Sequence, residues 1–95
     1  MEKLTRELVE AQLMSFIELH SEVQRDGVTR WAWALSPMAG HSAELEDREL
    51  SFQYKSQETA QNYALGWIRR NRPDLEKAAV REAQAGINYR AYHSR

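Results

Sequence analysis

The stretch Val28-Thr29-Arg30-Trp31-Ala32-Trp33-Ala34-Leu35-Ser36 decides how this chain is read. Its large apolar residues recur every second position. Trp31, Trp33 and Leu35 point one way and Arg30, Ala32 and Ala34 the other, the pattern of a strand with one face buried. Residues 49–55 repeat it, with Leu50, Phe52 and Tyr54 set against Ser51, Gln53 and Lys55. Two such segments predict an antiparallel hairpin. The connection, residues 37–48, is long for a hairpin loop. Pro37, Gly40, His41 and Ser42 mark turns in it, and Glu44, Glu46 and Asp47 make its far end acidic. A long loop in so small a domain is either mobile or used.

Upstream, Leu4, Leu8, Val9, Leu13, Phe16, Ile17 and Val23 fall at three- and four-residue spacings between Glu7, Glu10, Glu18 and Glu22. This predicts one helix over residues 3–24, broken by Asp26-Gly27. Downstream, Ser56 is a good N-cap, Glu58 suits the positive end of a helix dipole, and Ala60, Tyr63, Ala64, Trp67 and Ile68 form a stripe. Arg72-Pro73 ends that helix, and Pro73 opens the next, along which Leu75, Ala79, Ala83 and Ile87 lie four apart. Gly86 costs this last helix about 1 kcal/mol relative to alanine, so residues 88–95 are expected to fray or turn away.

The order is helix, strand, strand, helix, helix: one α+β domain over residues 1–95, a two-stranded antiparallel hairpin packed against amphipathic helices. Two strands alone are marginal in water, so the first and second helices must cover the aromatic face. Open strand edges remain, able to accept a strand from a partner or from a second copy, giving a homodimer.

Composition narrows the chemistry. Ninety-five residues make one domain with little stability to spare. Hydrophobic residues are 42% and charged residues 28%, an ordinary globular balance that argues against disorder. With no cysteine there are no disulfides and no thiolate chemistry, and a reducing compartment is the default. The apolar runs are short, and residues 1–10 lack the apolar core of a signal peptide, so a cytoplasmic location is expected. The net charge of −1 conceals a division. Residues 1–47 hold four basic and nine acidic side chains, net −5, and residues 48–95 hold nine and five, net +4. Folding either presents these as two opposed surfaces or interleaves them until the field cancels.

Catalytic patterns are scarce. His20, His41 and His93 are far apart in sequence, with no His-x-x-x-His spacing for a metal. Ser21 beside His20 and Ser42 beside His41 make no dyad, because neighbours on a strand or helix point in different directions. Gly27, Gly40, Gly66 and Gly86 are scattered singly, which leaves no phosphate loop or dinucleotide fingerprint. Neither an enzyme nor a cofactor is expected. Glu44, Glu46, Asp47 and Glu49 could hold a magnesium ion, but a solvated acidic loop that meets a partner is the simpler reading.

Arg69, Arg70 and Arg72, followed by Lys77, Arg81 and Arg90, form a basic cluster able to grip phosphate or carboxylate. Tyr89 and Tyr92 flank Arg90 and offer stacking surfaces for nucleic acid. Against that, a dedicated nucleic-acid binder of this size is usually basic overall, and the arginines equally suit a helix C-terminus complementing its own dipole. Trp31 or Trp33, if turned outward, would anchor a protein partner.

In outline the chain resembles small stand-alone proteins of bacteria and their phages, in which a Trp-x-Trp strand precedes a hairpin return and an alanine-rich amphipathic helix. That likeness concerns architecture alone. The expected function is a non-catalytic protein-binding module, a small inhibitor or adaptor acting on a larger complex. Phage-encoded inhibitors of host nuclease complexes, anti-CRISPR proteins among them, are one such class, and an acidic loop could imitate phosphates toward a basic groove. The alternative is an accessory nucleic-acid binder using the arginine cluster.

Overall fold

The computed structural model describes residues 2–36 and 51–93. It is an α+β fold of α1 (Arg6–Met14), β1 (Ile17–Val23), β2 (Thr29–Leu35), α2 (Gln57–Asn71) and α3 (Pro73–His93). The two strands pair antiparallel.

The first helix is much shorter than its apolar spacing predicts. Thr5 starts it, its hydroxyl accepting the Leu8 N–H at 3.2 Å. At the other end Ser15 and Phe16 donate their N–H groups to the carbonyls of Gln12 and Leu13, three residues back. The tightening of that last turn closes the helix. The chain then runs extended. Ile17, Leu19, Ser21 and Val23 alternate with Glu18, His20 and Glu22, a period-two pattern that shares Ile17 and Val23 with the helical one.

What decides between the two periods is the turn at Asp26-Gly27. Gln24 donates to the Val28 carbonyl at 3.0 Å, Gly27 donates to the Gln24 carbonyl at 2.9 Å, and the Asp26 carboxylate accepts the Val28 N–H at 2.9 Å. Gly27 has φ +79°, the left-handed region open to glycine without strain. Three residues closed in this way make a hairpin turn, with glycine where the backbone reverses hand. Asp26-Gly27 therefore joins two strands and does not end a helix, and β1 occupies sequence expected to be helical.

The second expected strand, residues 49–55, is corrected accordingly. Glu49 and Leu50 lie outside the described residues; residues 51–53 carry no strand, and among the described residues of the segment only Tyr54 pairs, through a bridge to Trp31 on the outer side of β2. Trp31 donates to the Tyr54 carbonyl at 2.7 Å and Tyr54 donates back at 3.1 Å. Antiparallel contact between the two segments exists, and the α2 cap at Ser56, two residues later, stops it from extending past Tyr54.

One sheet face packs on the core, and on the other Ala32 alone among the strand residues is buried. Ile17 lies in the core, and Leu19, Trp33 and Leu35 pack against Leu13, Ala64, Leu65, Ile68, Leu75 and Ala79. Trp33 meets Trp67 with ring centroids 5.3 Å apart. Ser36 ties the end of β2 to the helix–strand junction, donating its N–H to Phe16 at 2.9 Å and its hydroxyl to the Ser15 carbonyl at 3.0 Å.

The later helices match their sequence signals. Ser56 caps α2 by accepting the Thr59 N–H at 3.1 Å. Arg72 leaves helical geometry at φ −132°, ψ 65°, as a residue before proline tends to, and α3 starts at Pro73. Leu75, Ala79, Ala83 and Ile87 are buried along it. The turning-away suggested by Gly86 does not occur: α3 continues through Asn88 to His93. Among the described residues no helix is long and apolar enough to cross a membrane.

Candidate functional site

The arginines expected to act as a cluster divide into two groups. Arg69 bridges two other elements, donating from Nη2 to Glu10 on α1 at 2.9 Å and from Nε to Glu76 on α3 at 3.2 Å. Glu10 also accepts from Arg6 at 3.0 Å. Arg72 grips Asp74 through both carboxylate oxygens, at 3.0 and 2.9 Å. Arg90 reaches Glu2 at 2.8 Å. These three guanidiniums fasten the fold to itself. Arg70 and Arg81 are exposed and make no ion pair among the described residues. Arg81 and Arg90 are nine residues apart on α3, half a turn out of phase, so they lie on opposite faces. No single track of arginines forms.

The same pairs hold their carboxyls below the ordinary range. Bonds from Arg69 and Arg6 lower Glu10, the bond from Arg72 lowers Asp74, and the bond from Arg90 lowers Glu2. A carboxyl whose folded pKa lies below its unfolded value stabilises fully above the unfolded value and loses that contribution as pH falls through the folded one. The chain should therefore hold its full stability above the ordinary values of 4.5 for Glu10 and 3.8 for Asp74, and lose it as acid protonates the pairs. Urea midpoints measured from neutrality down to about pH 3 check this. Glu10→Gln should start with a lower midpoint at neutral pH and show a shallower fall, whereas an unchanged slope would mean that Glu10 carries none of the acid sensitivity.

Along the first half of α3 runs a groove of about 500 Å³ whose described lining is Asp74, Glu76, Lys77, Val80 and Arg81. Lys77 and Arg81 stand four apart and share one helix face. Val80 is 37% exposed at its centre. Asp74 and Glu76 are already engaged by Arg72 and Arg69. Lys77 and Arg81 have no acidic partner among the described residues. The groove thus combines an apolar centre with two cations left uncompensated.

Of the other candidates, Tyr89 and Tyr92 are exposed near the end of α3, where both rings lie against His93, with centroids 4.2 and 5.2 Å away. Trp31 and Trp33 are half-buried and Trp33 is committed to Trp67, so neither is an outward anchor. His20 lies 3.4 Å from Glu18 on the polar face of the hairpin, while Ser21 points to the opposite face. Among the described residues no three histidines or acids converge as a metal site would require. Glu44, Glu46, Asp47 and Glu49, with His41 and Ser42, lie outside the described residues.

Sequence reading named Arg81 and Lys77 as part of a basic run but missed Val80 and the groove. The available signal was the pairing of Lys77 with Arg81 one helical turn apart, with alternative acids already taken. No protein-family model matches the chain, and neither a curated protein nor a solved structure is similar to it.

Proposed function

We propose that this chain is a non-catalytic protein-binding module, a small adaptor or inhibitor that seats its α3 groove on a larger protein. One observation carries the reading: Val80 stands exposed beside Lys77 and Arg81, while the neighbouring acids Asp74 and Glu76 are paired with Arg72 and Arg69. An apolar centre with a charged rim is the anatomy of a protein interface. The uncompensated cations favour a partner segment carrying a carboxylate next to an apolar side chain.

Affinity capture with mass spectrometry, using the wild-type chain as bait, identifies the partner. Lys77→Glu/Arg81→Glu should then weaken binding on the order of tenfold or more while leaving the circular dichroism spectrum intact. The quadruple alanine variant of Glu44, Glu46, Asp47 and Glu49 serves as the contrasting arm. If that variant loses the partner and the charge reversal does not, the acidic loop is the interface and the groove is not. A nucleic-acid reading keeps support from Arg70 and Arg81, which are exposed and unpaired among the described residues. It requires binding that falls steeply with salt, and the absence of a gel shift on DNA or RNA at low salt removes it.

A further inference from the structure

The outer edge of β1 is a second surface, separate from the α3 groove. In an antiparallel pair, alternate residues direct their N–H and C=O toward the partner strand and the residues between direct theirs away. Here the even-numbered residues face inward, because Gln24 bonds to Val28 and Ser36 to Phe16 at the two ends of the ladder. The odd-numbered residues face outward, and Trp31 uses its outward pair on Tyr54. By the same alternation Ile17, Leu19, Ser21 and Val23 send their N–H and C=O groups away from β2. The sheet has the order β1-β2, so among the described residues no strand takes those groups up.

Among the described residues this edge is long and uncovered. Its seven residues pair with β2 without a bulge. Ile17–Val23 contains no proline or lysine, and its only charged guards are Glu18 and Glu22. Its distal half stands clear of the helices: Ser21, Glu22 and Val23 are all exposed, Val23 to 68%. A two-stranded sheet gains by extension.

We propose that β1 pairs antiparallel with β1 of a second copy of this chain across a two-fold axis at Ser21, giving one four-stranded sheet. The charges select that register. Outward groups meet only if odd residues face odd residues, so the axis passes through a residue of β1. An axis at His20 sets Glu18 directly against the partner's Glu22, twice, and His20 against the partner's His20. Like charges placed opposite each other across strands are unfavourable. An axis at Leu19 drives Ser15, at the end of α1, against the partner's Val23. The axis at Ser21 instead sets His20 against the partner's Glu22, Leu19 against the partner's Val23, and Glu18 against the partner's Gln24. It places an acid beside an imidazole, covers the most exposed valine of the hairpin and brings no two acids opposite each other.

The chain has no cysteine, so single cysteines report the register directly. Hydrogen-bonded antiparallel partners lie about 5.5 Å apart at Cα, within the span of a disulfide. Sedimentation equilibrium of the wild-type chain should show a monomer–dimer equilibrium, and Ser21→Cys should oxidise to a covalent dimer faster than His20→Cys or Val23→Cys. Ser21→Pro removes an N–H that the hairpin does not use and should weaken dimerisation tenfold or more, on the order of what two lost bonds cost. Lys77→Glu/Arg81→Glu should leave the dimer unchanged. A chain that stays monomeric up to millimolar concentration overturns the proposal, as does preferential cross-linking through His20→Cys. Should Ser21→Pro fail to fold, sedimentation and the cysteine set still decide.

Discussion

Ile68→Ala should cost about 3–4 kcal/mol of stability, read as a fall in the urea midpoint. Ile68 is 0% exposed and sits in the cluster where α1, β1, α2 and α3 meet, beside Leu13, Leu65 and Leu75. Removing its outer carbons loses their transfer free energy and leaves a cavity that the surroundings must fill. They are poorly placed to do so. Ala64 and Ala79 line the same cluster, and an alanine has no side chain to swing into a void. For a domain of this size, near the low end of the usual range of about 5–15 kcal/mol, such a loss removes half or more of the total. Ile68→Val, which deletes one methylene, should cost only about 1 kcal/mol. Equal midpoints for the two variants would show that Ile68 is not enclosed.

The packing at Ile68 also explains which elements were legible in sequence. Ser56, Pro73 and the stripe from Leu75 to Ile87 fixed α2 and α3, because capping chemistry and helical spacing are local signals that tertiary contacts here reinforce. Trp31 to Leu35 read correctly as a strand for the same reason. Residues 17–23 did not, because Ile17 and Val23 satisfy both a period near 3.6 and a period of two. Choosing between them requires knowing that β2 lies five residues beyond, and that Gly27 serves as the left-handed residue of a turn. The expected strand at residues 49–55 followed from the alternation of Leu50, Phe52 and Tyr54. A strand has two edges: β1 took one, and among the described residues Tyr54 alone reached the other.

The functional surfaces were harder to foresee, because an arginine's availability depends on partners that sequence spacing does not reveal. Arg69 and Glu10 are 59 positions apart, and Arg90 and Glu2 are 88 apart. Each pair joins the acidic half of the chain to the basic half, so at these points folding interleaves the two charge blocks. Pairs between near neighbours, such as Arg6–Glu10 and Arg72–Asp74, are the kind that spacing can suggest. What separates Arg81 from Arg90 is helical phase and the location of the N-terminal acids. The first follows from the sequence once α3 is accepted as continuous to His93, and the second does not.

Trp33→Ala should cost about 3 kcal/mol, toward the lower end for tryptophan truncation because the ring is only half-buried. Its importance lies in where it stands. The hairpin docks on the helices through one face, and on that face Trp33 is the largest residue packed against the core cluster. It meets Trp67 of α2 at 5.3 Å with the rings inclined at 55°, a tilted geometry worth about 0.5–1.5 kcal/mol beyond area burial. A double-mutant cycle of Trp33→Phe and Trp67→Phe should return a coupling of that order, because phenylalanine keeps the apolar contact while changing the ring pair. Near-ultraviolet circular dichroism, sensitive to the packing of the three tryptophans, should lose most of its signal in Trp33→Ala. Most of the helical far-ultraviolet signal should persist, since Leu65, Ile68, Leu75 and Ala79 share their cluster with Leu13 of α1 as well as with the strands. A neutral Trp33→Ala would mean that the hairpin is not held by this face.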